Sequence, residues 1–209
     1  MMARKTWDGF VDGLEKEWSR DWHQRKTIHK VVKAEIEKLE KKYNGSFGLQ
    51  AKVLDAGCGT GQDYTLFTGI NYTGVDITDE MLDKFKEKYP TAHVEKSDIH
   101  CLRFEDNEFD LVFNHDVLLH IDKWEQALQE LWRVTKSVLI LKLSYVWHGP
   151  TRTDIAPNGF IERKFNLLDV LFRLQLLNPK PVITEVVEVT PEEKTSPDMI
   201  HKQIFVIRK

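Results

Sequence analysis

Three alternating glycines follow a short apolar run that ends in an acid, in the sequence VLDAGCGTG at residues 53–61. Because glycine has no Cβ, such a run lets the backbone pass within contact distance of a ligand. A tight strand-to-helix turn without any ligand would use the same residue type. The chemistry of this loop therefore depends on which other groups lie within its reach.

A second acid, Asp76, ends the next apolar run and comes 19 residues after Gly57. At about this distance from a glycine loop, a carboxylate can accept hydrogen bonds from both hydroxyls of a ribose. The alternative is that Asp76 caps the helix that follows, although Thr78 and Asp79 are also capable of capping it. The spacing favours a nucleoside-binding site.

The acid before the glycines, Asp55, bears on which nucleoside cofactor would bind. A carboxylate at that place would repel a pyrophosphate at the start of the next helix, whereas it would attract an ammonium group and a nearby sulfonium. The spacing G-x-G-x-G also departs from the G-x-G-x-x-G pattern of dinucleotide-binding proteins. Both observations favour a cationic cofactor over a dinucleotide.

The elements that must position these residues alternate between short apolar runs and helical patterns. We predict strands at 52–54, 72–75, 93–95, 109–113 and 138–143, with helices near 63–67 and at 79–89, 123–134 and 166–177. This alternation implies right-handed crossovers and a parallel sheet. The runs at 182–189 and 203–207 suit an antiparallel pair that closes one edge of it.

Two further segments flank or interrupt this pattern. Residues 7–43 have the apolar spacing of one long or two shorter amphipathic helices, and glycine and asparagine at 44–48 end them. We therefore divide the chain into an N-terminal helical cap, residues 1–45, and a main domain, residues 46–209. Residues 144–160 contain two glycines and two prolines, and we predict a substrate-facing loop or lid there.

The bulk composition limits the partners and the compartment. Thirty basic and 33 acidic side chains give a net charge of −3, so no global positive field would attract nucleic acid, although a local basic patch remains open. No apolar run reaches the roughly 18 residues of a membrane span. Cys58 and Cys101 are too few for a disulfide framework. We expect a cytoplasmic protein with no membrane or nucleic-acid partner, of unknown oligomeric state.

Four motifs in order resemble those of the class I S-adenosylmethionine-dependent methyltransferases, particularly the small-molecule branch. Residues 53–61 look like the first motif, GVDIT at 74–78 the second, SDI at 97–99 the third and FDLVFNHDVLLHI at 109–121 the fourth. The resemblance covers roughly residues 50–143. It implies an α/β fold with a Rossmann-like, seven-stranded, mostly parallel sheet, helices on both faces and strand order 3-2-1-4-5-7-6.

By position, the resemblance implies one set of residues around the methionine and ribose parts of S-adenosylmethionine. Asp55 would orient the amino group, Asp76 would hold the ribose, and the reactive methyl would lie near the end of the fourth strand. The remaining residues of this set would line the methionine part, and they are Gly57, Cys58, Gly59, Gly61, Asn114 and His115. Both cysteines are also compatible with small buried or loop residues.

A second set would surround the adenine. Ile77 and Met81 look like its apolar neighbours, with Asp98 at the amino edge and Ile99 offering its backbone. Met81 and Ile99 are equally compatible with ordinary core positions, because apolar residues are mostly buried. Asp98 also suits a turn or a helix cap.

The sequence indicates the catalytic residue less clearly than the cofactor-binding motifs. His115, Asp116 and His120 cluster within six positions, but they lack a metal-binding pattern such as His-Glu-x-x-His, and we predict no metal. His120 resembles a histidine found near the acceptor in the family, so it is the candidate general base, and a packing role is the alternative. Methyl transfer needs little further catalysis, because alignment alone can contribute about 7–11 kcal/mol.

Several tryptophans lie outside the predicted cofactor-binding core, at Trp7, Trp18, Trp22 and Trp147. They could form an aromatic cage for an apolar or cationic acceptor, while helix packing remains open for Trp18 and Trp22. The sequence thus predicts a methyltransferase that acts on a small-molecule acceptor. The alternatives are a non-catalytic cofactor-binding or partner-binding subunit of the same fold and an NAD-dependent oxidoreductase.

Overall fold

The computed structural model of the chain describes residue 11 and residues 22–156, 159–189 and 201–209. Its strands form where apolar and β-branched residues run together, because such side chains fit a pleated, buried surface. In the described residues they are β1 (Lys52–Ala56), β2 (Asn71–Asp76), β3 (Val94–Lys96), β4 (Phe109–His115), β5 (Thr135–Trp147), β6 (Arg152–Ile155), β7 (Ile161–Asn166), β8 (Val182–Val189) and β9 (His201–Arg208).

The sheet has the topology that the resemblance implies. Strands β3, β2, β1, β4 and β5 are parallel neighbours in that order. Strand β9 runs antiparallel beside β5, and β8 pairs antiparallel with β9 at the edge. The order 3-2-1-4-5-9-8 is therefore the predicted order once the β6–β7 pair is set aside, and the predicted fold class is confirmed.

The segment at 144–160 is more regular than the loop that we predicted. Strand β5 continues to Trp147, and β6 pairs antiparallel with β7. Strand β7 also extends the sheet by pairing with β5 through Val146 and Trp147. The prediction of a loop at 144–160 is thus wrong for most of the segment, because β6 reads Arg-Thr-Asp-Ile and is held by pairing rather than by an apolar periodicity. That the segment faces a substrate stays a prediction. Residues 157–158 lie outside the described residues.

The helices lie on both faces of the sheet, as predicted. They are α1 (Trp22–Lys42), α2 (Phe47–Gln50), α3 (Asp79–Lys88), α4 (Trp124–Val134) and α5 (Leu167–Gln175). Two short 3₁₀ turns occur at Tyr64–Leu66 and Leu118–His120. The helix predicted near 63–67 is only the first of these turns, because Gly69 takes a left-handed conformation (φ +81°) and the chain turns into β2.

Two apolar clusters, one on each face of the sheet, hold these layers together. The apolar side of α4, predicted from its spacing, packs with Leu139 and Leu141 of β5 in one cluster. On the other face, Ile28 and Val32 of α1 share a cluster with Val53 of β1. Helix α1 is therefore packed on the sheet, while the division at residue 45 stays a prediction. The predicted helical residues 7–10 and 12–21 lie outside the described residues.

The described helices bear on the predicted absence of a membrane span. Among the helices of the described residues, none has the length and apolar content needed to cross a bilayer. The cytoplasmic location and the predicted lack of nucleic-acid and membrane partners stay predictions.

Candidate functional site

The glycine loop begins where β1 ends and turns against the neighbouring strand. The backbone N–H groups of Gly57 and Cys58 both donate to the carbonyl of Val75, at 2.7 and 2.9 Å. Gly57 has φ +87°, and a Cβ there would lie 2.1 Å from Cγ2 of Val117. Only glycine satisfies both conditions, since other residues rarely adopt that backbone conformation. The backbone of the loop therefore packs closely against Val117 and leaves no space for a side chain at Gly57.

Asp76, at the end of β2, contacts this loop directly. Its Oδ2 accepts from the backbone N–H of Gly59 at 3.0 Å, and its Oδ1 accepts from that of Thr78 at 2.9 Å. Burial raises its pKa despite these bonds. Because a carboxylate has about four acceptor positions, two such bonds leave room for the hydroxyls of a sugar. The N-cap of α3 is Thr78, so Asp76 bonds to the capping residue and does not cap the helix itself, and its ribose-binding role stays a prediction.

Asp55, one residue before the end of β1, is buried at 3% exposure. The hydroxyl of Tyr72 donates to its Oδ2 at 2.9 Å. Burial, and then the charge of Asp63, raises the pKa of Asp55 to about 8, with a smaller contribution from Asp76. A positive group arriving beside this carboxyl would favour its ionised form.

Asn114, near the end of β4, presents an unused acceptor. Its Nδ2 donates to the carbonyl of Ala56 at 2.7 Å, which fixes the orientation of the amide. Its Oδ1 is buried and has no hydrogen-bond partner among the described residues. An unpaired buried acceptor is costly, so this oxygen is suited to accept from a bound ligand.

Asp63 is a central residue of the site that the sequence alone did not single out. His115 Nδ1 lies 2.7 Å from its Oδ2, and His29 Nε2 lies 3.2 Å from its Oδ1. Arg25 adds a longer ion pair, at 3.7 Å. Burial alone would raise the pKa of Asp63, but His115, His29 and Arg25 together hold it well below its usual range. The pairing ties α1 to the glycine loop and to β4.

A second ionic group lies beyond His115, between the end of β4 and the second half of β5. The ammonium of Lys142 pairs with Asp116, and Ser144 donates to the same carboxylate through both its backbone N–H and its hydroxyl. Burial opposes the ionisation of Asp116, but the charges of Lys142 and His115 lower its pKa to about 2. Lys142 was a visible signal, because it interrupts the apolar run at 138–143.

The predicted adenine neighbours differ in exposure. Ile77 is 42% exposed and directly follows Asp76, so its apolar surface is open to a ligand. The side chains of Met81 and Ile99 are buried, and Ile99 belongs to an apolar core cluster. Asp98 accepts from the backbone N–H of His100 at 2.9 Å, an interaction expected of a turn residue.

Burial alters the acid–base behaviour of the side chains of Cys58 and His120. Cys58 is buried, and burial raises its pKa well above the usual value, so its thiol is a neutral filler. The Nδ1 of His120 lies 2.8 Å from the carbonyl of Ile161, and burial lowers the pKa of this histidine. No group of three possible metal ligands occurs in the described part of the chain.

The tryptophans predicted near an acceptor are described only in part. The ring of Trp147 lies under the guanidinium of Arg152, at 4.5 Å. Trp7 and Trp18 lie outside the described residues, as does the side chain of Trp22. The aromatic cage therefore stays a prediction.

The fold and these contacts define a Rossmann-like α/β protein whose glycine loop lies between two strand-end carboxylates, a nucleoside-binding class. Residues 54–140 match the family model described as a methyltransferase domain. The matched segment is less than half of the chain, and together with the fold it supports a class I S-adenosylmethionine-dependent methyltransferase family.

Two curated relatives of the chain are methyltransferases with different acceptors. The chain is 32% identical to a malonyl-[acyl-carrier protein] O-methyltransferase of Enterobacter lignolyticus, over 41% of this chain and 35% of that one. It is 28% identical to a sterol 24-C-methyltransferase of Gibberella zeae, over 81% and 47%. The chain thus spans less than half the length of these two relatives.

Among solved structures, the chain is similar to the 1,6-didemethyltoxoflavin-N1-methyltransferase of Burkholderia thailandensis, determined with S-adenosylhomocysteine. The TM-score is 0.63 at 17% identity, with 96% of this chain and 88% of that chain covered. At this identity the likeness supports the fold.

Proposed function

We propose that this protein transfers the methyl group of S-adenosylmethionine to a small-molecule acceptor. The S–CH₃ bond of the sulfonium breaks as the acceptor's lone pair forms the new bond to carbon, and S-adenosylhomocysteine leaves. The observation that carries the proposal is the direct bond from the Gly59 N–H to Asp76, at 3.0 Å. It joins a side-chain-free loop to a carboxylate with remaining acceptor capacity.

The proposed roles follow the chemistry of the donor. Asp76 binds the ribose hydroxyls, while Asp55 and the unpaired Oδ1 of Asn114 accept from the ammonium group. His115 and the loop glycines line the methionine part. Around the adenine, Ile77 supplies apolar surface, Asp98 accepts from the amino group and Ile99 offers its backbone, while the buried Met81 supports that side.

The acceptor atom is not determined by the relatives, because their names specify an O-, a C- and an N-methyltransferase. An acceptor that arrives protonated needs a base, and His120 is the proposed one. Since burial lowers its pKa, the imidazole is largely neutral near pH 7 and can accept a proton. An acceptor that arrives with a free lone pair needs alignment alone.

Calorimetry with S-adenosylhomocysteine and with NAD tests the proposal first. Binding of the former and not of NAD is expected, whereas the reverse result would identify an oxidoreductase. A methyl-release assay over hydroxyl, carboxyl, amine and carbon acceptors then tests turnover. Donor binding without turnover on any acceptor would favour the non-catalytic subunit, and no binding of either cofactor would end the proposal.

Replacing Asp76 tests the site itself. Asp76→Ala is expected to weaken S-adenosylhomocysteine binding by about 2–3 kcal/mol, roughly 30- to 150-fold, because bonds to a charged acceptor contribute about 1.5–3 kcal/mol each. Asp76→Asn should lose less, since one acceptor oxygen remains. Asp83→Ala is the matched control, because Asp83 is an exposed acid on α3. An unchanged affinity in folded Asp76→Ala would contradict the ribose-binding role.

A further inference from the structure

His100 joins two loops at the carboxyl end of the sheet. Its Nδ1 lies 2.6 Å from Oδ1 of Asp98, and its Nε2 lies 2.7 Å from the backbone carbonyl of Asp122. The side chain is only 11% exposed. Both ring nitrogens are therefore engaged, on opposite edges of one imidazole.

The chemistry of the partners sets the direction of these bonds. An ionised carboxylate and a backbone carbonyl are both acceptors only, so a ring nitrogen that bonds to either of them does so as an N–H donor. Oδ1 of Asp98 also accepts the backbone N–H of His100, at 2.9 Å. Two donors from one residue converge on one carboxylate oxygen, and they fix the rotation of the carboxyl group.

We propose that His100 is a positioning residue for the adenine of the methyl donor, because it orients Asp98 toward the adenine amino group. The inference rests on the proposed function, in which Asp98 accepts from that group. A carboxylate that is free to rotate would lose part of the free energy of this bond to ordering, whereas a fixed one is already ordered.

The second contact of His100 gives the imidazole a rigid support. Asp122 belongs to the connection between the 3₁₀ turn at Leu118–His120 and α4. From the start of α4, Gln126 Nε2 donates to the backbone carbonyl of His100 at 3.0 Å. The loop that carries Asp98 is thus braced against the connection that follows His120. A purely structural brace is the alternative, and the test must separate the two.

The probe is S-adenosylhomocysteine, compared with its 6-deamino analogue, in which a hydrogen atom replaces the adenine amino group. The wild type is expected to bind the analogue roughly 10- to 150-fold more weakly, because one bond to a charged acceptor is lost. A structural brace would affect both ligands alike. The ratio of the two dissociation constants therefore reports on Asp98 rather than on general stability.

Two amide substitutions keep one contact each. The amide nitrogen of Asn falls close to Nδ1 of histidine and that of Gln close to Nε2, so His100→Asn retains a donor toward Asp98 while His100→Gln retains one toward Asp122. His100→Asn should keep the wild-type ratio. His100→Gln and His100→Phe should bring it to about threefold or less, since the Asp98 carboxyl loses its ring N–H partner. His93→Phe, at an exposed position just before β3, should change neither constant.

The outcomes are distinguishable. An equal ratio of the two dissociation constants in the wild type, His100→Gln and His100→Phe would overturn the inference. An equal fall of this ratio in His100→Asn and His100→Gln would also overturn it. If His100→Phe does not fold, the Asn and Gln variants alone decide. A wild-type ratio near one would overturn the inference while donor binding still supports the proposed function. A wild type that binds neither ligand would overturn both.

Discussion

Acidic residues at the carboxyl end of the sheet differ in their protonation because they have different partners. Asp63 and Asp116 are paired with cationic side chains, and the pKa of each is lowered. Asp55 and Asp76 have only hydrogen-bond donors among the described residues, and burial raises the pKa of each. The first pair is thus already neutralised within the protein. In the described part of the chain the second pair has no positive partner, and a sulfonium-bearing amino acid would supply one.

The raised pKa of Asp55 predicts that donor binding depends on pH. Below about pH 8 the free carboxyl is mostly protonated, and it must lose its proton to pair with the donor's ammonium. The affinity for S-adenosylhomocysteine should therefore rise with pH, up to about tenfold per unit below the pKa, and level off above it. Calorimetry between pH 6 and 8, in buffers of different ionisation enthalpy, measures both the affinity and the released proton.

The control for this effect is Asp55→Asn, which cannot titrate. It should bind more weakly at pH 8 and show a smaller dependence on pH. A wild-type affinity that is flat over the same range, with no proton released, would show that Asp55 does not pair with the ammonium group.

At the scale of the elements, the glycine loop gives a matched pair of substitutions. Gly57 and Gly59 both have positive φ, but an added Cβ meets Val117 only at Gly57, at 2.1 Å, while Gly59 has open space. Gly59→Ala should cost about 1–2 kcal/mol of stability for its left-handed backbone. Gly57→Ala should cost about 1–3 kcal/mol more, because of overpacking. Urea unfolding measures both, and equal losses would contradict the tight fit of the loop.

Helix α1 is joined to the sheet by charge as well as by apolar packing, through Arg25, His29 and Asp63. Asp63→Asn should lower the free energy of unfolding by about 3 kcal/mol, because it leaves a buried ionic cluster without its acceptor charge. Hydrogen exchange should also quicken in α1 (Trp22–Lys42). Asp83→Asn, at an exposed acid, is the control and should change neither quantity.

The same cluster predicts a pH dependence of stability with a definite sign. The pKa of Asp63 is lowered in the folded protein, so its contribution is present above the unfolded-state pKa of about 4 and is lost as the pH falls further. The gap in unfolding free energy between the wild type and Asp63→Asn should therefore shrink below about pH 4. A gap that stays constant down to pH 3 would mean that the charge of Asp63 does not stabilise the fold.

At the scale of the whole molecule, the sequence predicted what local patterns encode. The parallel strands and the glycine loop followed from apolar runs and from residue spacing within about 20 positions. Asp63 was missed because its partners, His29 and His115, lie 34 and 52 residues away. The β6–β7 pair was missed because its first strand is polar and exposed. The distant contacts of Asp63 leave no periodic signal in one sequence, and the short β6–β7 pair lacks the apolar alternation that would have indicated it.

The linkage between cofactor binding and stability gives a test of the whole molecule that requires no acceptor. A ligand that binds only the folded state stabilises it by about 2.7 kcal/mol at 100 times its dissociation constant. For a chain of this size, each kcal/mol raises Tm by about 2–4 °C, so S-adenosylhomocysteine should raise Tm by about 5–10 °C. Asp76→Ala at the same ligand concentration should shift by less than about 3 °C, because the ligand no longer saturates it. NAD should give no shift in either protein. A wild-type shift that Asp76→Ala retains in full would mean that the ligand binds elsewhere on the fold.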